Sequence, residues 1–387
     1  MTTRTVIHSA RIVTDGRVIE DAWVLFDDGR IAATGRGGVG PLGQGLTPLE
    51  LVDARGRYLT PGFIDIHGHG GGGAAFGDGV AGIAEALRVH RSHGTTRSVL
   101  SLVTARIDDL EHQLDTIATV TARDPSVLGS HLEGPFLAGG HKGAHDPALL
   151  RAPDPTTAQR LIDASRGSLR QITLAPEQPG GIAAVRRFVE AGVAVALGHS
   201  DADYEDAREA FAAGATLLTH AFNGMNGIHH RAPGPVVAAL RSAGVTLEVI
   251  NDGVHVDPEI VRLCFDEAPG RVALITDAMA ATGSPDGEYM LGRLHVVVRD
   301  RVARLVDGDS IAGSTLTLDA ALRQAVGAVR LPLETAVAAL TEVPARAIGR
   351  AGDLGRLSPG YVADAVLLDE ALGVNTVWVA GQRYLAP

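Results

Sequence analysis

Apolar and polar residues alternate at both ends of the chain and run in blocks through its middle. Thr5–Val13, Val18–Phe26 and Arg30–Thr34 are short β-rich runs, and the Asp15-Gly16 and Asp28-Gly29 pairs between them read as hairpin turns. The Gly-rich stretch 35–45 reads as a loop. Ala363–Leu368 and Val374–Val379 return to the β style near the C-terminus. These terminal segments predict one small β-sandwich domain formed by residues 1–58 with 354–387.

Across 59–353 the rhythm becomes strand, loop, helix. Phe63–Ile66, Thr96–Leu102, Val127–His131, Gln171–Ala175, Val193–Leu197, Thr216–Thr219, Leu247–Ile250 and Val272–Thr276 read as eight strands. Helical patterns fall between them, among them Ile83–His93, Thr157–Arg166, Ile182–Ala191, Asp203–Ala213 and Pro258–Glu267. Gly94, Gly192 and Gly214 sit where helix C-termini need φ > 0. The alternation predicts an α/β chain with a (β/α)8 TIM-like barrel and its chemistry at the strands' C-terminal ends. An open doubly wound sheet is the alternative, but no GxGxxG turn or GK[ST] phosphate loop supports it. Beyond strand eight, Leu294–Leu305 reads as an inserted hairpin. Leu316–Val329 and Leu333–Ile348 read as two helices closing the barrel.

Polar side chains then fall at the strand ends. The first strand runs into His67-Gly68-His69, two imidazoles on one face. Glu133 ends strand three, His199 strand five and His220 strand six, His255 follows strand seven, and Asp277 ends strand eight. Each has a bland alternative: a lone strand-end histidine is more often a structural hydrogen-bonding group, Glu133 could accept turn N–H groups, and Asp277 could cap the following segment. A barrel gathers all of them into one bowl, and together they form a nitrogen and oxygen site suited to Zn2+, Fe2+ or a similar ion.

Bulk properties narrow the partners. At 387 residues the chain has room for a large domain and a smaller one. A net charge of −11 argues against nucleic acid or an anionic membrane as partner, so an anionic substrate would need a local cluster of donors. Cys264 is the only cysteine, which excludes an internal disulfide and suits a reducing cytoplasm. The first residues lack the apolar core of a signal peptide and no apolar run approaches membrane-spanning length, so the expectation is a soluble intracellular protein.

PGFIDIHGH, the strand-five and strand-six histidines, TDA at strand eight and the ADAVLLD segment resemble the amidohydrolase superfamily. Within it, HLEGPF, KGAHDP, GHSDA, THAFNGMN, NDGVHVD, TDAMAATG and AGSTLTLD resemble the N-acetylglucosamine-6-phosphate deacetylase family, over nearly the whole chain. The resemblance implies a divalent metal held by Glu133, His199 and His220, with Zn2+ expected first and Fe2+, Mn2+, Co2+ or Cd2+ as alternatives. Relatives with Gln and Asn in place of the first histidine pair keep one metal; His67 and His69 imply a second, bridged by Glu133 with Asp277 nearby. Lys142, the only lysine, lies in a Gly-rich loop, so a carbamylated-lysine bridge is not expected. By the same resemblance Asp277 is the general base and His255 polarises the acetyl carbonyl. Asn223, Gly224 and Arg231 take the phosphate, His145 the sugar hydroxyls, and Ala312, Gly313 and Ser314 line the sugar site. His229 and His230 are read as solvent-facing loop residues, and Asp65 and Glu177 as structural. A phosphorylated amino sugar as substrate and a homodimer are implied as well. The competing readings are a deaminase or cyclic-amide hydrolase of the same superfamily, and a non-catalytic metabolite-binding protein.

Overall fold

The computed structural model describes residues 4–39, 49–308 and 310–385. The loop expected at 35–45 therefore lies partly outside the described residues. Strands β1 (Arg4–Thr14), β2 (Arg17–Asp27) and β3 (Arg30–Arg36) form an antiparallel meander. Both hairpin pairs have positive φ at both residues, the conformation that Asp-Gly is chosen for. β4 (Leu49–Asp53) and β5 (Tyr58–Pro61) both pair in parallel with β1, one after the other along its length.

Next comes the barrel. Its strands are β6 (Phe63–Gly68), β9 (Thr95–Val103), β10 (Val127–Glu133), β11 (Leu169–Leu174), β12 (Ala194–Leu197), β13 (Leu217–Leu218), β14 (Thr246–Ile250) and β15 (Val272–Ile275), with the short pair β7 (Gly70–Gly71) and β8 (Ala74–Ala75) after β6. The eight form one sheet in chain order. Residues of β6, β10, β14 and β15 are buried throughout, as strands covered on both faces must be. Side chains and backbone close the ring: Asp277 donates its N–H to the His67 carbonyl at 2.8 Å, and Thr276 Oγ1 donates to Asp65 Oδ2 at 2.6 Å. That is the structural task of the one carboxylate inside the first apolar run.

Helices fill the connections. In Ile107–Thr121 the buried residues Leu110, Leu114, Ile117 and Ala118 recur at helical spacing, so one stripe faces inward. Asp154, Asp203 and Asp257 cap the helices that follow them by accepting backbone N–H groups. The insertion expected as a hairpin has three strands, β16 (Gly287–Leu291), β17 (Leu294–Arg299) and β18 (Val302–Leu305). The segment expected as one helix over 333–348 is two, Leu333–Leu340 and Glu342–Ala347. Pro344 has no N–H to give the carbonyl four residues back, so the first helix stops there.

Finally β19 (Ala365–Leu368), β20 (Val374–Val379) and β21 (Gln382–Leu385) join the first sheet, β19 beside β5. Its core draws from both chain ends, with Phe26, Leu59, Leu367 and Trp378 in one cluster. Two compact units result: Met1–Ile64, His90–Arg97 and Leu318–Pro387 in one, Asp65–Val89 and Ser98–Thr317 in the other. Residues 318–353 thus group with the terminal sheet. Within that unit Arg97 grips Asp364 twice, at 2.5 and 2.8 Å, with both side chains buried. Asp364→Ala should cost about 3–5 kcal/mol, because a buried guanidinium loses its counter-charge; urea unfolding measures it, and a loss below 1 kcal/mol would contradict this. Among the described residues no helix is long and apolar enough to cross a membrane.

Candidate metal centre

Glu133, at the end of β10, is the hub. Its Oε1 lies 3.1 Å from His199 Nε2, 3.0 Å from His220 Nε2 and 3.5 Å from His67 Nε2. Its Oε2 lies 3.2 Å from His69 Nε2 and 3.4 Å from His145 Nε2. Asp277 Oδ1 meets His69 Nε2 at 3.1 Å and His67 Nε2 at 3.5 Å. All are buried, so the predicted strand-end residues converge as one cluster.

Three of them hold unusual backbone shapes. His199, His220 and Asp277 have φ of 48°, 24° and 49°, in the left-handed region that non-glycine residues avoid. Each such residue costs of order 1–3 kcal/mol and persists where the surroundings impose it, which is characteristic of functional sites. Glycines make room beside them. A Cβ on Gly224 would sit 2.9 Å from His199 Nδ1, and one on Gly143 would sit 2.9 Å from the same ring.

The hydrogen bonds define what these groups offer. His199 Nδ1 faces the His141 carbonyl at 2.8 Å, and His220 Nδ1 faces the Asn223 carbonyl at 3.1 Å. Carbonyls only accept, so each Nδ1 carries a hydrogen and each ring turns its Nε2 towards Glu133. Those two Nε2 atoms stand 3.1 Å apart, beside the Glu133 oxygen. With both Nε2 atoms free of hydrogen, three lone pairs surround one point, a set that fits a cation. The second set is alike. His67 Nδ1 meets Glu248 Oε2 at 3.1 Å, and its Nε2 has no hydrogen-bond partner among the described residues although it faces Glu133 and Asp277. His145 stands beside this set: its Nδ1 meets the Thr104 hydroxyl at 2.9 Å and its Nε2 faces Glu133 Oε2 at 3.4 Å, so it steadies that carboxylate.

Electrostatics agree. Burial opposes charge on His67 and His69, yet Glu133, Asp277 and, for His67, Glu248 outweigh it; His67 is pushed well above its usual value and His69 to about 9. Burial favours neutral carboxyls, but the histidines prevail here too, holding Glu133 well below the carboxylate range and Asp277 at about 2. Burial leaves His145 neutral, at about 4. The cluster is built to gather positive charge around two ionised acids.

Four supporting residues were not assigned from the sequence. Glu248, wholly buried in β14, orients His67 and is held in turn by Gln171 at 2.6 Å. Asp252 accepts from His255 Nδ1 at 2.7 Å and from its backbone N–H at 2.9 Å, which pins that ring. His131 spans from Ser101 to Thr173 beneath the cluster, at 2.8 and 2.9 Å. An acid three residues before His255 was a visible signal for Asp252. Nothing marked Glu248 apart from an acid inside an apolar run.

Over the cluster opens a cavity of about 150 Å³. His69, Glu133, His145, His199, His220, Asn223, Gly224, His255, Asp277 and Gly313 line it. His67 lies beneath. Ala312 is fully buried and bonds back to Ala303, while Ser314 donates its Oγ to the Thr276 carbonyl and its N–H to the Asp277 carbonyl, so both stand behind the wall and Ser314 braces Asp277. Glu177 accepts from Ser200 and Asp201, steadying the loop after His199. Arg231 is exposed in the loop that follows β13, with no ion-pair partner among the described residues, and His229 and His230 beside it are exposed as expected.

An eight-stranded barrel carrying this cluster is the framework of a metal-dependent hydrolase, and residues 58–384 match the amidohydrolase family; the chain belongs to it. It is 38% identical to an N-acetylgalactosamine-6-phosphate deacetylase of Escherichia coli O157:H7, over 97% of this chain and 98% of that one. An N-acetylglucosamine-6-phosphate deacetylase of Vibrio furnissii is 36% identical over 87% and 84%. Among solved structures, a mutant N-acetyl-D-glucosamine-6-phosphate deacetylase of Mycobacterium smegmatis in complex with N-acetyl-D-glucosamine-6-phosphate superposes with a TM-score of 0.92, 40% identity and 99% coverage of each chain.

Proposed function

We propose that this protein hydrolyses the acetamide of N-acetyl-D-glucosamine 6-phosphate, giving acetate and D-glucosamine 6-phosphate in amino-sugar catabolism and cell-wall recycling. The observation that carries the reading is the convergence of Nε2 lone pairs and carboxylate oxygens on Glu133, inside a chain so similar to deacetylases of 6-phosphorylated amino sugars. In this reading Glu133, His199 and His220 would hold one divalent ion, and His67, His69, Glu133 and Asp277 would hold a second, with Zn2+ the expected metal. A divalent ion there supplies Lewis acidity and brings the pKa of water down towards roughly 7.

The side chains do the rest. Asp277, ionised and at the cavity floor, takes the proton of the attacking water and gives it to the departing nitrogen. His255, which Asp252 holds through Nδ1, turns Nε2 towards the amide oxygen and stabilises the charge that develops on it. His145, Gly313 and the neighbouring Ala312 and Ser314 shape the sugar end. Asn223 and Gly224 offer polar groups to the phosphate, and Arg231 a planar fork that suits it.

A homodimer, with a second subunit completing the phosphate end, accords with the exposure of Ile228 and Val254 in the loops that bear Arg231 and His255. The lone buried Cys264 suits a cytoplasmic setting.

Acetate release from N-acetylglucosamine 6-phosphate tests the reading, run beside the galactosamine epimer that the Escherichia coli relative's name specifies. Faster release from the glucosamine substrate is expected. Ammonia release from purines or ring opening of dihydroorotate, without acetate, would overturn it. Arg231→Ala should lower kcat/KM for the phosphorylated sugar by about 10- to 100-fold, by loss of a charge-assisted contact, and leave the poor rate on unphosphorylated N-acetylglucosamine unchanged. Undiminished discrimination between the two sugars would contradict the assignment.

A further inference from the structure

A second cavity, of about 900 Å³, adjoins the one over the metal centre and shares His69, Val103 and Leu291 with it. Its walls come from the end of β9, the start of the helix Ile107–Thr121 and the turn between β16 and β17. That volume is enough for a whole small-molecule group, far beyond the single methyl of an acetamide. The sugar hangs from the nitrogen of the scissile bond and the acyl chain from its carbon, so the two leave the reacting centre in different directions. Asn223, Gly224 and Arg231, assigned to the phosphate, follow β13. Val103 ends β9, four strands away in an eight-stranded ring and so on its opposite side. Val103, Leu291 and His69 line both cavities where they meet, and the turn presses close enough that a Cβ on Gly292 would lie 2.9 Å from Val103 Cγ2. Beyond it Ala105 and Met290 stand on the wall with Gln113, and Asp78, Arg106, Asp109, His112, Glu288 and Arg293 give the outer lining a mixed, charged character.

We propose that this cavity is an acyl subsite, and that the substrate class extends to hexosamine 6-phosphates carrying N-acyl chains longer than acetyl. The proposal rests on the deacetylase reading above. The bond broken is the same amide C–N bond; water adds its hydroxyl to the carbonyl carbon and its proton to nitrogen, and the longer carboxylate leaves in place of acetate.

The test measures glucosamine 6-phosphate release from the N-acetyl and N-butyryl substrates by the metal-loaded protein. The parent should cleave the N-butyryl substrate with kcat/KM within about tenfold of the N-acetyl one, since each well-housed methylene adds binding where a closed site would exclude it. Gln113→Trp and Ala105→Trp fill the cavity from different walls. Each should cut N-butyryl turnover more than about tenfold while N-acetyl turnover stays within twofold. A parent that cleaves N-acetyl and rejects N-butyryl by more than about 100-fold overturns the subsite and leaves the deacetylase reading standing. So does an equal response of both substrates to both Trp variants. A parent that cleaves neither substrate overturns the deacetylase reading itself, and the subsite with it.

Discussion

Replacing Asp277 by Asn is expected to lower kcat by about 10²- to 10⁴-fold, the range that a positioned proton-transfer group contributes. The parent side chain is suited to this work because it is ionised: burial raises its affinity for a proton, but the hydrogen bond from His69 and the nearby His67 lower its pKa to about 2. An amide of the same shape cannot take the water's proton. The backbone that aims it is kept by bonds the substitution does not touch, namely the Asp277 N–H to the His67 carbonyl and the Ser314 N–H to the Asp277 carbonyl, at 2.8 and 2.7 Å. Metal at the Glu133, His199 and His220 position should stay bound, because Asp277 contacts only the His67 and His69 side of the cluster. Steady-state kinetics with metal analysis on one sample checks both halves. Near-parental kcat would rule out the assigned base.

Glu133→Gln is the second large expected effect. Both carboxylate oxygens serve: Oε1 faces His199, His220 and His67, and Oε2 faces His69 and His145. The amide removes the charge common to both proposed cation positions and turns one oxygen into an N–H donor. Metal affinity should fall by more than about 100-fold, exceeding what loss of a mere supporting partner does, and turnover should fall with it. Circular dichroism should show the secondary structure retained, since β10 keeps its ladders to β9 and β11 on both sides. A variant that binds metal as the parent does would show that Glu133 is not the bridge.

Much of this was legible in the sequence, and the reason is periodicity. Barrel strands buried on both faces read as apolar blocks, and polar residues at their ends stand out, so His67, His69, Glu133, His199, His220 and Asp277 can be gathered from the sequence pattern. The Asp-Gly turns and the glycines after helices were equally plain, because each demands a backbone shape that few residues accept. What stayed hidden depends on distance in space. Glu248 meets His67 across 181 residues, and its acid looks from the sequence like an irregularity in an apolar strand. The side-chain direction of His145 needed Thr104 in view, and the support that Ser314 gives Asp277 needed two loops at once. Local pattern also identified helices over 316–348 without revealing what they pack on. The acyl-side cavity had no sequence signature, because empty space has none.

Metal content and turnover measured together, on one preparation before and after exhaustive chelation, test the central claim most directly. The account predicts that acetate release disappears with the metal and returns in proportion to Zn2+ added back, up to one or two ions per chain. Stripped protein that cleaves N-acetylglucosamine 6-phosphate as fast as the loaded form would contradict it.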